Sequence, residues 1–300
     1  LNAMGIIRNN VDKLKLMKVR VEMLVDQIYR NSEPDILCFQ EMSREFFEEF
    51  YPKISNIYPF AHDVIFDRLN PQNKEDLATF LISKIKPIRI KYVRLKGNLG
   101  YPNLLGIYEF GNLVVFNLYL QAGSSNSLGQ KHRWQHYSRC RIHELEYISN
   151  ILKTTEKPFV ILGDFNFDLN NNGEIFPEAI YLRKLMKTIN CVDSFIMTNP
   201  YLDGFTEDTD QNSLRWNDKF ETKKFRYDAI LSSDQLVPIQ SQLFANVPTL
   251  LDLELSKSYE KIYVKNPNDA RLRFFGDKEN KLYELFISDH FGVVSKFQFR

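Results

Sequence analysis

The 300-residue chain carries 39 Lys and Arg against 38 Asp and Glu, a net charge of +1, with 44% apolar residues. Such a balance fits an ordinary globular protein with a sizeable core and excludes a global field that would gather a polyanionic partner. No apolar stretch is long enough to cross a bilayer, which excludes stable membrane insertion as an expectation.

The 24 Phe and 15 Tyr favour strands. Cys38, Cys140 and Cys191 lie far apart, without metal or redox spacing, and no Asn-x-Ser/Thr sequon is present. These features point to a reducing, intracellular (cytoplasmic or nuclear) setting. A monomer is expected.

In chain order, Val11 to Arg30 predicts an amphipathic helix, with Met17, Val21, Leu24, Val25 and Ile28 at helical spacing. Asp35–Phe39 is a short apolar run of the kind a doubly buried strand shows, and it stops at Gln40 and Glu41. Further strands are read at 80–82, 112–116, 159–162, 227–231 and 291–294, and helices near 43–51, 138–153 and 177–188. Buried strands with interleaved helices imply one α/β domain over residues 1–300, two packed sheets with helices outside. The stretch 236–284 has mixed charge and weak strand signals, and is set aside as a variable insertion.

Polar residues recur where apolar runs end. Glu41 follows the first strand, Asp164 and Asn166 follow Val160–Gly163, Asp228 opens the run 228–231, and Asp289 and His290 precede the last strand. Ionised carboxylates beside apolar strands are costly unless paired or bound to a metal. Several converging on one rim suit Mg²⁺, a hard cation that takes oxygen ligands. Taken singly, each has a bland reading. Asp164 and Asn166 form turns, His290 is a satisfied structural histidine, and Glu41 is a charge at a helix start. An EF-hand reading of 163–168 fails, because Leu169 stands where glycine is required and Ile175 where glutamate is. His132, His136 and His143 fit no zinc spacing and read as surface residues.

The series Gln-Glu, Gly-Asp-Phe-Asn, Arg-Tyr-Asp-Ala-Ile and Ser-Asp-His-Phe-Gly, in this order, resembles the endonuclease/exonuclease/phosphatase superfamily. The resemblance implies a four-layered α/β/β/α sandwich of two mainly antiparallel sheets. It also implies a phosphodiesterase using Mg²⁺ or Mn²⁺. Glu41, Asn2 and Asp289 would hold the metal. Asp164 would orient and deprotonate the attacking water, and Asn166 would donate to the phosphoryl oxygen. His290 would bind the scissile phosphate, oriented by Asp228. Residues 1–5 look like the end of the family's first strand, which would then be truncated.

Tyr119 departs from the histidine that many members place there, although AP endonucleases also use tyrosine. A phenol donates to a phosphate oxygen but is a poor proton donor near neutral pH. The segment Thr206–Asn212 resembles that of tyrosyl-DNA phosphodiesterases, implying a DNA or RNA end as substrate, with Thr206 and Asn212 as contacts. Bacterial sphingomyelinases have a segment of the same shape, and Tyr119–Ala122 resembles their His-Leu-Gln-Ala turn, which implies a phospholipid instead. Lys131–His136 offers a basic, aromatic patch for nucleic acid, or else a solvated helix start. Leu99–Leu105 offers an apolar loop for lipid, or plain core. Arg141 reads as a phosphate contact or as an exposed helix charge. A binding protein that keeps the fold without turnover is the non-enzyme alternative.

Overall fold

The computed structural model describes residues 10–30, 33–63, 77–95, 103–123, 131–171 and 176–300. Helix α1 (Val11–Arg30) is followed by β1 (Ile36–Ser43), α2 (Arg44–Ile54), β2 (Phe60–Asp63), β3 (Leu77–Ser83) and β4 (Arg89–Arg94). Next come β5 (Leu104–Phe110), β6 (Leu113–Tyr119), α3 (Lys131–Leu152), β7 (Phe159–Asp164), α4 (Pro177–Thr188), β8 (Cys191–Asp193) and α5 (Ser194–Thr198). The remainder comprises β9 (Glu207–Asp208), α6 (Ser213–Lys219), β10 (Lys224–Phe225), β11 (Asp228–Ser233) and β12 (Leu236–Phe244). The chain closes with β13 (Thr249–Leu250), α7 (Leu253–Tyr263), β14 (Glu284–Leu285) and β15 (Gly292–Phe299).

The fold is mixed α/β with several sheets. Its centre is a six-stranded sheet in the order β4-β5-β6-β7-β11-β8, in which β6 and β7 run parallel and the other neighbours antiparallel. A second sheet, β1-β3-β2, is antiparallel, and β12 pairs with β15.

Side-chain alternation along these strands creates three cores. Leu37 and Phe39 of β1, with Phe80 and Ile82 of β3, pack against α1, α2 and α7. Leu81 faces the other way and meets Tyr108, Phe110 and Val115 of the six-stranded sheet. The far side of that sheet, through Val114, Phe116, Phe159 and Ile161, packs on Leu145 and Ile148 of α3 and Leu182 of α4. Strands apolar on both faces are what the continuous runs in the sequence require.

The segment 236–284, set aside as an insertion, is part of this framework. β12 pairs with β15 from Leu236↔Phe299 to Phe244↔Gly292, and Leu251, Tyr259, Leu272 and Tyr283 join the same core as α1. β12 escaped detection because its outward positions include exposed Val237 and Ile239, which blur the alternation. The backbone of Lys131–His136 is the first part of α3. Asn2, Leu99–Pro102 and the side chains of 131–134 lie outside the described residues.

Gly163 fixes the join between β6 and β7. It has φ +138°, and a Cβ there would stand 1.9 Å from the Leu118 carbonyl oxygen. Only glycine tolerates both constraints. Gly163→Ala is expected to destabilise the protein by about 3 kcal/mol or more. Urea denaturation checks this, and a variant as stable as wild type would mean that the β6–β7 approach is looser than described.

Candidate active site

Three adjacent strands bring polar residues to one rim. Tyr119 ends β6, Asp164 ends the parallel β7, and Asp228 opens the antiparallel β11. Their Cα positions are in register as Tyr119↔Asp164 and Asp164↔Asp228. Glu41 comes from the other sheet, at the irregularity between Phe39 and Met42 where β1 shifts register against β3. Its φ of +53° is unusual for a residue with a side chain. Asp289 and His290 lie just before β15. Gln40, Glu41, Tyr119, Asp164, Asp228, Asp289 and His290 together line a cavity of about 20 Å³, enough for one water-sized occupant.

Hydrogen bonds set the orientation of each group. His290 Nδ1 lies 3.0 Å from Asp228 Oδ2, and Tyr119 Oη donates to Glu41 Oε1 at 2.5 Å. Asp164 Oδ1 accepts from the Asn166 backbone N–H at 2.7 Å, and Asn166 Nδ2 donates to the Leu120 carbonyl at 2.9 Å. Asn166 has φ +56°, a turn conformation that asparagine tolerates better than most residues. The Asn166 side chain also reaches the Tyr119 hydroxyl.

Burial and like charge dominate the electrostatics. Burial, reinforced by Asp228, pushes Asp164 well above the usual carboxylate range. Burial also raises Glu41, against the Tyr119 hydrogen bond and with help from Asp289. Tyr119 is raised well above a free phenol by burial and by Glu41 and Asp164. For Asp289 burial opposes the charge, yet His290 and Arg215 hold it below the ordinary value. His290 shows the same contest: burial disfavours the charged ring, but Asp228 and Asp289 raise it to about 10.

This donor set fits a hard divalent cation. Four carboxylates face the cavity against the single His290, an excess of acid that burial makes costly. Oxygen donors of this kind suit Mg²⁺ or Mn²⁺. Ligand atoms of Asp164, Asp228 and His290 lie within 4.8 Å of one another, but the Asp228–His290 pair is already joined by a hydrogen bond. The other two lining carboxylates, Glu41 and Asp289, carry contacts to Tyr119 and Arg215. Asn2, the third expected ligand, lies outside the described residues.

Three expected substrate contacts are placed otherwise. Thr206 and Asn212 are fully buried. Thr206 Oγ1 accepts from the backbone N–H groups of Tyr227 and Asp228, at 3.0 and 3.1 Å. Asn212 caps α6 and donates to the carbonyls of Ser288 and Asp289, at 2.9 and 3.3 Å. Arg141 is neither an exposed helix charge nor a lining residue. It is fully buried against Glu178 at 2.7 Å. These side chains brace the rim instead of facing a substrate.

Gln40 and Arg215 also belong to the surroundings of the cleft. Gln40 lines the cavity and donates to Asn117 Oδ1 at 2.8 Å, while Asn117 donates to the Phe80 carbonyl across the sheets. Arg215 pairs with buried Glu207 and lies 3.6 Å from Asp289. The polar end of an apolar run signalled Gln40; nothing in the sequence signalled Arg215.

Residues 19–290 match the Endonuclease/Exonuclease/phosphatase family. The chain belongs to that family, and its class is that of hydrolases acting on phosphoesters. Among solved structures it resembles truncated Caenorhabditis elegans TDP2, at 16% identity and a TM-score of 0.60, covering 97% of this chain and 94% of that one. Beta toxin from Staphylococcus aureus aligns at 15% identity and 0.60, covering 95% and 93%. A Bacteroides thetaiotaomicron mannosyl-6-phosphatase aligns at 13% and 0.62, covering 97% and 96%. A comparison with curated protein sequences finds no match. Among the described residues, no helix is long and apolar enough to cross a membrane.

The Asp228–His290 pair has a measurable signature in chelator-treated protein. Because folding raises the ring from 6.5 to about 10, it contributes stability that is present below pH 6.5 and lost as pH rises through 10. The His290 Cε1–H resonance should therefore not titrate near neutral pH. Asp228→Asn should lower its midpoint by about 1–3 pH units. An ordinary midpoint in wild type would contradict the pairing.

Proposed function

We propose that the chain is a metal-dependent phosphodiesterase that hydrolyses its substrate by in-line attack of an activated water. The supporting observation is the convergence of Asp164, Asp228 and His290 on one cleft, with the histidine paired to Asp228 at 3.0 Å. When bound, Mg²⁺ or Mn²⁺ would neutralise the phosphate and stabilise the departing oxygen, with Glu41 and Asp289 as its holders.

Asp164 has the environment of a general base. Its fixed carboxylate is made more proton-attracting by burial and by Asp228. In the proposed step Asp164 takes the proton of the water, the water oxygen forms a bond to phosphorus, and the bond to the leaving oxygen breaks with its electron pair. His290, protonated through Asp228, donates from Nε2 to a phosphoryl oxygen. The Asn166 amide, steadied by Leu120, donates to another as negative charge grows there.

The favoured substrate is a nucleic-acid end. Support comes from the resemblance of the Thr206–Asn212 segment to that of tyrosyl-DNA phosphodiesterases in sequence and from likeness to TDP2. One such TDP2, from D. rerio, was solved with a single-strand DNA product. A phospholipid is the second reading, supported by the turn after Tyr119 and by the likeness to beta toxin.

With Mg²⁺ or Mn²⁺ the protein should hydrolyse bis(p-nitrophenyl) phosphate and stop when EDTA is added. Asp164→Ala should lower kcat by about 10²–10⁴-fold. A panel of a 5′-tyrosyl oligonucleotide, an abasic duplex and sphingomyelin vesicles should show preference for the first. Preference for the vesicles would select the lipid reading, and folded protein inert on every substrate would leave a binding protein of this fold.

A further inference from the structure

Two ionisable side chains on α3, Arg141 and Glu144, are fully buried outside the cleft. They converge on one stretch of main chain, the turn that follows β6. Glu144 Oε2 accepts from the Gln121 N–H at 2.9 Å, and its Oε1 accepts from Asn103 Nδ2 at 2.5 Å. Arg141 Nη1 donates to the carbonyls of Gln121 and Gly123, at 2.9 and 3.0 Å. Arg141 Nε donates to Glu178 Oε1 of α4 at 2.8 Å, and Nη2 stands 2.7 Å from the same oxygen in the ion pair.

The N–H of Gln121 and the carbonyl of Leu120 belong to the same peptide unit. That unit is planar and rigid, so its N–H and C=O point in opposite directions. Glu144 holds one side of the plane. The other side accepts from Asn166 Nδ2 at 2.9 Å. Leu120 N–H in turn donates to the Asp164 carbonyl at 3.0 Å, tying the turn to the end of β7. Rotation of this plane would therefore turn the amide of Asn166.

Stability alone gives little reason for such a network. Burying charges costs several kcal/mol each in desolvation, and apolar side chains of similar volume often serve as well. Geometry supplies the reason. We propose that Glu144 is a positioning residue, which locks the 120–121 peptide plane while Arg141 holds the carbonyls of Gln121 and Gly123 just beyond it, and that the locked plane aims the Asn166 amide at the reacting phosphoryl group. The proposal rests on the phosphodiesterase reading for its rate effect, but the orientation of Asn166 is testable without turnover.

The test uses the full chain with bis(p-nitrophenyl) phosphate and Mg²⁺. Glu144→Leu should lower kcat by about 10- to 100-fold with little change in KM. Glu144→Gln, which keeps an acceptor for the Gln121 N–H, should recover most of that loss. In an Asn166→Ala background, Glu144→Leu should have almost no further effect, because the residue it acts through is gone. The same fold-loss in both backgrounds would overturn the proposal.

If wild type shows no turnover, the functional reading fails and the side-chain amide resonances of Asn166 decide the rest. They should shift in Glu144→Leu and stay near wild type in Glu144→Gln; an unchanged pair in Glu144→Leu overturns the proposal. Should that variant not fold, Glu144→Met, a flexible apolar side chain that offers the Gln121 N–H no oxygen acceptor, replaces it, and the same cycle and resonances apply.

Discussion

Carboxylates crowded onto one buried rim repel each other, and most of the polar architecture around the cleft answers that repulsion. Asp164 and Asp228 sit directly opposite on neighbouring antiparallel strands, where like charges destabilise pairing. His290 lies 3.0 Å from Asp228, and Asp228 with Asp289 raises its ring above the ordinary value. Glu41 receives the Tyr119 phenol, and Asp289 has Arg215 within 3.6 Å. Glu41 and Asn166 both adopt positive φ without being glycine. Strain of this sort persists only where surrounding structure enforces it, and here it coincides with the cleft.

The enforcing structure is a shell of buried polar side chains bonded to main chain. Thr206 accepts from the N–H of Asp228, and Asn212 donates to the carbonyls of Ser288 and Asp289. Arg20, fully within α1, donates to the Ile287 carbonyl at 2.5 Å and so pins the approach to Asp289. Arg226 bonds Asp193 and Asn170, while Asp168 accepts from the Arg226 N–H. Each bond restricts a backbone segment adjoining a cleft residue. A site assembled from distant parts of the chain needs such restraint, because small displacements of reacting groups cost large factors in rate.

This division between cleft and shell marks what the amino-acid sequence could reveal. Glu41, Asp164, Asp228 and the Asp289–His290 pair are legible because each interrupts an apolar strand, and such interruptions converge when strands lie side by side. Helices α1 and α4 are legible for the same kind of reason, an unbroken periodicity of 3.6. Strand β12 is not, because its partner β15 lies about fifty residues away and its outward side chains are mixed. Nor does residue type separate a polar side chain that meets substrate from one that meets backbone. Thr206, Asn212 and Arg141 look like ligand-binding residues in sequence and become braces once burial is known. Arg215 carried no signal, since its meaning comes only from the fold placing it between Glu207 and Asp289.

Tyr119 shows how the cleft's electrostatics bear on the proposed chemistry. Its hydroxyl is committed to Glu41, and burial beside Glu41 and Asp164 makes it harder to ionise than a free phenol. A group so placed can orient a carboxylate but is poorly suited to deliver a proton as a leaving oxygen departs. His290 differs, because Asp228 and Asp289 raise its ring to about 10. Under the proposed reaction, the positive charge facing the phosphate from this chain therefore resides on His290. Tyr119 instead fixes the carboxylate that would hold the ion.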